Sequence, residues 1–582
     1  MLNFSKNKSV YNFFLSTTQA VISSHGLCVL NKAGYLFIKE RMHKMEKRLA
    51  TNHEENNKKA GLKYDPVLIV VTLLIIAAFV TVLAMKPEST LTNVTGVFDT
   101  VIKYFGSILE LLVFGFVIIA FYFGLGKYGK IKLGDDDPEY SMFSYISMML
   151  MAAIASAALY WSFTEWAAYY ENPGLGIEAR TTEAAEISLG YQLFHWGLSG
   201  QAIYVMIGVA MSYAFYNRKV PLLQTSSVCK AMMGNLNDKA KNIIGKIIDF
   251  AVLFGIIGGL GCTLGLGIPL TAGALIQLWG IEITFPIQVG IIVFIALIFT
   301  FTSFLGMKKG MRNISNISVG LTIGFRIYVL IAGPTDFILK NTVSSLGWMI
   351  HMFPRMSTFT DPISNSGFPE AWTMYFQAFY LNYAAMMGIF IAKVSKGRTI
   401  REVTWATLFG ISAGGWVLFC INGSFSIFSH FENETDVVEL MNSGHGETGI
   451  YQIIALLPGG EVILPFVFLV IIIGFIAAVL DAASLSLAQT TATRMEADGE
   501  VSKWMRVFWC VILALIPLSI MFVKAEFTAL KILSILISVP FLFIILFMVI
   551  STFRWLKEDE DSGVLEKFGI FSIKKHEEKK IS

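Results

Sequence analysis

The chain has 582 residues, of which 55% are hydrophobic, 13% aromatic and only 15% charged, and its formal net charge is +3. A soluble chain of this size would carry more charge, so the composition argues for a protein that crosses a membrane many times. The small net charge gives no sign of nucleic-acid binding, because the basic residues are scattered over short loops and nowhere form an aromatic-interleaved basic patch in a soluble segment.

In chain order, residues 1–65 read as a cytoplasmic N-terminal segment. The stretch "VYNFFLSTTQAVISSHGLCVLN" is too polar to span a bilayer and has no signal-peptide pattern. Met42 or Met45 reads as a natural start, so residues before about 42 are expected not to be native. Apolar runs long enough to cross ~30 Å of hydrocarbon, roughly 20 residues each, then recur twelve times. They cover about 66–85, 98–125, 143–170, 191–216, 244–276, 283–306, 311–334, 372–394, 402–424, 461–490, 505–523 and 528–552. An all-α polytopic membrane protein with 12 transmembrane helices is therefore expected. The tail "RWLKEDEDSGVLEKFGIFSIKKHEEKK" mixes both signs of charge and reads as solvated.

Lysines and arginines set the orientation. Lys127, Lys130 and Lys132; Arg218 to Lys246; Lys308, Lys309 and Arg312; Lys393 to Arg401; and Arg494, Lys503 and Arg506 fall in alternate loops, which should be cytoplasmic. The intervening loops, such as "FENETDVVELMNSGHGETG", are acidic or neutral. A cell-membrane protein with both termini cytoplasmic follows. Cys28, Cys229, Cys262, Cys420 and Cys510 lack metal or disulfide spacing and read as small apolar residues.

The ionisable residues assigned to membrane depth are Glu110, Glu165, His195, Asp249 and Asp481, each alone on its helix. Metal chemistry needs several ligands together, so neither a metal site nor an enzyme is expected. No Gly-rich phosphate loop ends in Lys-Ser/Thr, which argues against ATP as a direct driver. A secondary transporter, a channel or a receptor remains. The small-residue stretches "MAAIASAALYW" (151–161) and "GIIGGLGCTLGLGIP" (255–269) favour the transporter, since Gly and Pro let a membrane helix unwind beside a ligand. The same residues would also serve close helix packing.

Between residues 372 and 394, Phe376, Phe379, Tyr380, Tyr383 and Met387 step by three and four along one helix face. Such a stripe either packs or binds a cation. Ring faces carry negative potential, and a quaternary ammonium, which cannot donate hydrogen bonds, suits a ring cage best. Further rings at mid-membrane depth, in "YWSFTEW" with Trp161 and "FHWGLSGQAIY" with Trp196 and Tyr204, lie on other helices and can close a cage.

The segments "GKIKLGDDDPEYSMFSYISMMLMAA" (129–153), "LYWSFTEW" (159–166), "YQLFHWG" (191–197), "MKKGMRNIS" (307–315), "FTDPISNSGFPEAWT" (359–373) and "AKVSKGRTIREV" (392–403) resemble, in collinear order over about 66–555, the betaine/choline/carnitine transporter family. The chain looks most similar to its carnitine/γ-butyrobetaine exchanger branch. The resemblance implies a leucine-transporter-like fold. Two peripheral helices (66–125) would precede a first five-helix repeat (143–334), an extracellular loop with an amphipathic helix (335–371) and an inverted second repeat (372–552), leaving 553–582 as a cytoplasmic tail. It also implies a homotrimer in the lipid bilayer that carries a quaternary ammonium solute by alternating access.

Carried over by residue, the resemblance gives Trp196, Tyr204, Tyr383 and Met387 as substrate contacts, joined by Trp161, Phe376, Phe379 and Tyr380. Where the family has Trp-x-Trp-Trp, this chain has Gln377, Ala378, Phe379 and Tyr380, and a further family tryptophan appears as Gln201, so the cage becomes smaller and more polar. Carnitine or a betaine is the expected substrate. Choline or a methylamine on the same family, or an amino acid on the same fold, are the alternatives. In place of the hydroxyl pair that helps bind sodium in relatives stand Leu480 and Asp481, and Ser318 aligns where the exchangers have an arginine. Asp481 with Ser484 is thus expected to serve sodium or proton coupling, or to be a structural carboxylate; no other cofactor is expected.

Overall fold

A computed structural model describes residues 63–154, 156–494, 501–522 and 538–570. The first 62 residues, and with them the question of the native start, lie outside the described residues, as do Cys28 and the final twelve positions. From Lys63 onward the described chain forms one body of packed helices.

The apolar runs fold as helices: α1 Pro66–Met85, α2 Pro87–Leu125, α3 Met142–Ile154, α4 Ala157–Glu171, α5 Thr182–His195, α6 Leu198–Tyr216, α7 Thr225–Met232, α8 Asp238–Trp279, α9 Phe285–Leu305, α10 Arg312–Ala332, α11 Thr335–Met356, α12 Tyr375–Val394, α13 Ile400–Trp405, α14 Ser412–Phe431, α15 Val437–Asn442, α16 Gly446–Ala455, α17 Ile463–Thr491, α18 Lys503–Phe522 and α19 Ser538–Asp561. Their starts are legible in local chemistry. Asp65 accepts from the Leu68 amide with Pro66 at the first helical position, and Thr399 and Glu402 close a reciprocal capping box. Among the described residues there is no sheet, only two isolated bridges.

Ten helices are long and apolar enough to cross a membrane, or eleven when the bent pair α3 and α4 counts as one span. This is an all-α polytopic membrane protein. The twelfth expected span, 372–394, does fold as α12, but it is not among the eleven because Tyr375, Gln377, Tyr380, Asn382 and Tyr383 dilute its apolar character. Its polarity is tolerable because it packs in the middle of the body, against α6, α8 and α17.

The small-residue stretches act differently from one another. Around Ser156 the chain breaks and turns by 59° between α3 and α4, and the Ser156 hydroxyl donates to the Thr263 carbonyl of α8 at 3.0 Å. The α8 stretch stays helical over its 42 residues and uses its glycines for close approach. A Cβ on Gly259 would lie 2.7 Å from the Asn382 amide and 3.0 Å from the Tyr383 ring, so only glycine lets α12 sit there.

The described part of the tail, to residue 570, keeps many side chains exposed, as expected, but is also docked. Past the last span α19 continues to Asp561, and its acidic run binds the basic loops. Glu560 accepts from Lys127 at 2.5 Å and from the Tyr128 hydroxyl at 2.7 Å, while Arg218 pairs with Glu558 at 3.0 Å and Asp559 at 3.1 Å. Tyr128 is accordingly pushed up from the ordinary tyrosine value, by burial and then by the hydrogen bond to Glu560.

Candidate functional site: an aromatic cavity beside a broken helix

A cavity of about 190 Å³ opens where α4 begins. Ala157 and Trp161 of α4, Trp196 at the end of α5, Ala371 and Trp372 of the π-helical turn Pro369–Met374, and Tyr375, Phe376 and Phe379 of α12 line it. Six of these eight residues are aromatic and none is charged. Four of the eight expected substrate contacts, Trp161, Trp196, Phe376 and Phe379, therefore come together. Trp372 and Tyr375 were missed, although they stand four residues before Phe376 and Phe379 and so share their helical face.

The rings brace one another. Trp161 meets Trp372 edge-on at 6.4 Å, Trp372 stacks on Phe376 at 6.3 Å, and Phe376 meets Trp196 edge-on at 5.5 Å. A polar chain behind them fixes Trp196 and Phe376. The Trp196 indole donates to Glu165 at 2.7 Å, the Tyr169 hydroxyl donates to the other Glu165 oxygen, and Tyr169 meets His195 at 2.7 Å. His195 reaches Thr373 at 3.1 Å, and its ring stacks on Phe376 at 5.0 Å. Glu165 and His195 thus work from behind the cavity wall.

The other four expected contacts lie deeper and do not line this cavity. Tyr204 meets Tyr380 edge-on at 5.3 Å, and Tyr380 fills the space left by Gly200. Tyr383 packs on Phe379 at 5.0 Å, and its hydroxyl donates to the Gly259 carbonyl and lies 3.1 Å from Thr263. Met387 is fully buried. Beside this packed layer the Gln201 amide lies near the Tyr380 hydroxyl, and neither completes a hydrogen bond of good geometry; Gln377 Oε1 is also unpaired.

Asp481 has a partner that the charge pattern of the loops assigns elsewhere. Arg506, counted among cytoplasmic-loop residues, is buried one turn into α18 and meets Asp481 at 3.1 Å. Ser303 of α9 donates to the same carboxylate oxygen and lies 3.1 Å from Ser484. Three helices therefore meet at one ion pair. Leu480 faces away, into an apolar seam with Leu264, Ile268 and Phe299. Among the described residues no group of three or more His, Cys, Asp or Glu could hold a metal.

The family model of the betaine/carnitine/choline transporters matches residues 67–561. The chain belongs to that family. A carnitine transporter of Acinetobacter baumannii is 37% identical over 450 residues, 77% of this chain and 81% of its own length. An uncharacterised transporter of Escherichia coli K12, YeaV, is 33% identical over 451 residues, 78% of this chain and 92% of its own. A Na⁺-coupled sialic acid symporter, solved substrate-bound and outward-open, aligns over 75% of this chain and 86% of its own at 13% identity and a TM-score of 0.43, too slight a likeness to argue from. As a betaine/carnitine/choline-family protein the chain is a membrane-embedded secondary transporter of small polar or charged solutes, not an enzyme. The exchanger branch is not distinguished by these relatives.

Proposed function

We propose that the protein carries a trimethylammonium zwitterion, carnitine or a betaine, and holds its headgroup in the ring cavity. One observation carries this reading: six aromatic residues and no charged one line a single cavity at the break between α3 and α4. Each well-placed ring contributes about 0.5–2 kcal/mol to a desolvated cation, with tryptophan the best of them. A primary ammonium would lose hydrogen bonds to water that rings cannot replace, which disfavours the amino-acid alternative. Choline and methylamines satisfy the same headgroup logic. The carnitine transporter of A. baumannii supports the preference for a zwitterion.

In this reading Tyr204, Tyr380, Tyr383 and Met387 form the next layer toward the opposite face and take up the headgroup as two inverted repeats, 143–334 and 372–552, rock about it. The protein works as a homotrimer in the cell membrane with both termini cytoplasmic, and 335–371, which contains α11, faces outward. Asp481 and Ser484 sit where coupling is expected, but Arg506 already supplies a positive charge there. That favours exchange without sodium at this carboxylate over sodium-driven uptake.

Proteoliposomes test both points. Labelled carnitine or betaine should enter vesicles preloaded with counter-substrate, with or without sodium, and Trp196→Ala should weaken binding of trimethylated ligands by about 1–3 kcal/mol. A wild-type protein that binds primary and trimethylated amines equally would remove the cage reading. Strict dependence on sodium would remove the exchange reading.

A further inference from the structure

Among the described residues, Arg326 is an ionisable group at membrane depth that neither the loop-charge pattern nor the ring cavity uses. It stands in α10, is 1% exposed, and ranks among the largest fully buried side chains. All three of its guanidinium nitrogens lack a hydrogen-bond partner, and no carboxylate of the described residues bears on it. The ring of Phe325 lies 5.0 Å from the guanidinium carbon.

An arginine cannot escape this situation by losing its proton, and it offers five donors in a rigid fork. Burying it unpaired is costly, which is why intramembrane charges ordinarily have partners. Arg506 follows that rule. Arg326 does not, among the protein's own described groups.

The setting is built for a counterion. The inward face of α10 carries Ser315, Ser318, Thr322 and Arg326 at steps of three and four, so they lie along one stripe. Like Arg326, the hydroxyls of Ser315 and Thr322 are buried without a partner. Thr322, one turn before Arg326, is within reach of whatever the guanidinium holds. Near the start of α10, Asn316 bonds to Ser144 at the start of α3 at 2.9 Å. About ten residues further up, ~15 Å of helical rise, Arg326 stands beside the contacts of α17 with α4. Its neighbour Phe325 packs on Phe468 at 5.6 Å, and Phe468 meets Phe163 of α4 edge-on at 6.1 Å.

We propose that Arg326, assisted by Thr322, binds a small monovalent anion: free chloride, or the carboxylate of a transported solute. Both present the same chemistry, a compact negative charge that accepts several hydrogen bonds. The carboxylate source rests on the proposed function; the chloride source does not.

The experiment uses the full chain in lipid nanodiscs. Thermal unfolding is followed in equal concentrations of chloride, of formate, and of a bulky organic sulfonate as reference. A free-anion site predicts a midpoint several degrees higher in chloride and formate, a shift that R326Q abolishes and Thr322→Val diminishes. If a solute carboxylate fills the site, the free anions give no shift, and R326Q weakens glycine betaine binding at least tenfold while leaving choline, which has no carboxylate, unchanged. Should R326Q fail to fold, R326K and Thr322→Val carry the same comparisons, each with a reduced effect. Midpoints identical in all three salts, together with unchanged betaine-to-choline selectivity in the variants that fold, would overturn the proposal. Because the salt series contains no organic ammonium, loss of the cage reading would leave its result standing.

Discussion

Asp481 and Glu165, two of the carboxylates buried in the body of this transporter, are satisfied in opposite ways. Asp481 meets a full positive charge on Arg506 and a hydroxyl on Ser303. Glu165 meets only neutral donors, the Trp196 indole and the Tyr169 phenol. An ion pair at one joint and a relay of neutral groups at the other teach different lessons. The pair ties α9, α17 and α18 together, whereas the relay aims aromatic rings at a cavity. Charge joins helices at the first, and neutral geometry braces a cavity wall at the second.

The comparison breaks most sharply at Asp481. Asp481→Ala strands Arg506 in the interior, and removing one partner of a buried pair typically costs about 3–5 kcal/mol. Thermal unfolding in nanodiscs should fall accordingly. Replacing both, Asp481→Leu with Arg506→Leu, should recover most of the loss, because a buried pair exchanged for packed apolar side chains is close to neutral. If the single variant is as stable as the wild type, the pair does not hold the helices. If the double variant exchanges substrate at the wild-type rate, Asp481 is not part of coupling either.

Glu165 should respond more mildly and in a different observable. Glu165→Gln puts an amide nitrogen where one donor now finds an acceptor, so either the indole loses its bond or the Tyr169 hydroxyl must turn its proton to His195 and accept instead, at about 1–3 kcal/mol. Since Trp196 forms part of the cavity wall, the loss should appear in ligand affinity and in Trp196 fluorescence more than in the unfolding midpoint. An equal loss in stability with unchanged affinity would make Glu165 a joint of the same kind as Asp481.

How much of this the sequence shows depends on whether the signal is local. Helix positions follow from apolar runs, and Trp161, Trp196, Phe376 and Phe379 follow from ring-rich segments at helical spacing. Arg506 is misassigned to a loop because a basic residue near a span end looks the same whether it faces a headgroup or an acid 25 positions earlier in sequence; only the fold joins them. Arg326 escapes notice inside a long apolar run for a related reason: the length of the run hides one charge. Tyr204, Tyr380, Tyr383 and Met387 have the right residue types and spacing, but which rings line the cavity and which lie under it depends on how closely α12 approaches α6 and α8. Gly200 and Gly259 set that approach. The break near Ser156 is legible as a stretch of small residues, and so is the α8 stretch that does not break; composition alone does not separate the two.

The smallest effect comes from the far end of the relay. Thr373→Val removes the hydroxyl that meets His195 at 3.1 Å while keeping the side chain's shape, at about 0.5–1.5 kcal/mol for a lost neutral hydrogen bond. Because His195 stacks on Phe376 and Phe376 lines the cavity, a freer imidazole should loosen that wall. Ligand affinity should drop about two- to tenfold, while stability changes little. Glu165→Gln in the same background should then cost less than it does alone, since both variants act through one chain of contacts. Strictly additive losses would show that Thr373 and Glu165 hold the cavity independently, and the relay would reduce to two separate bonds.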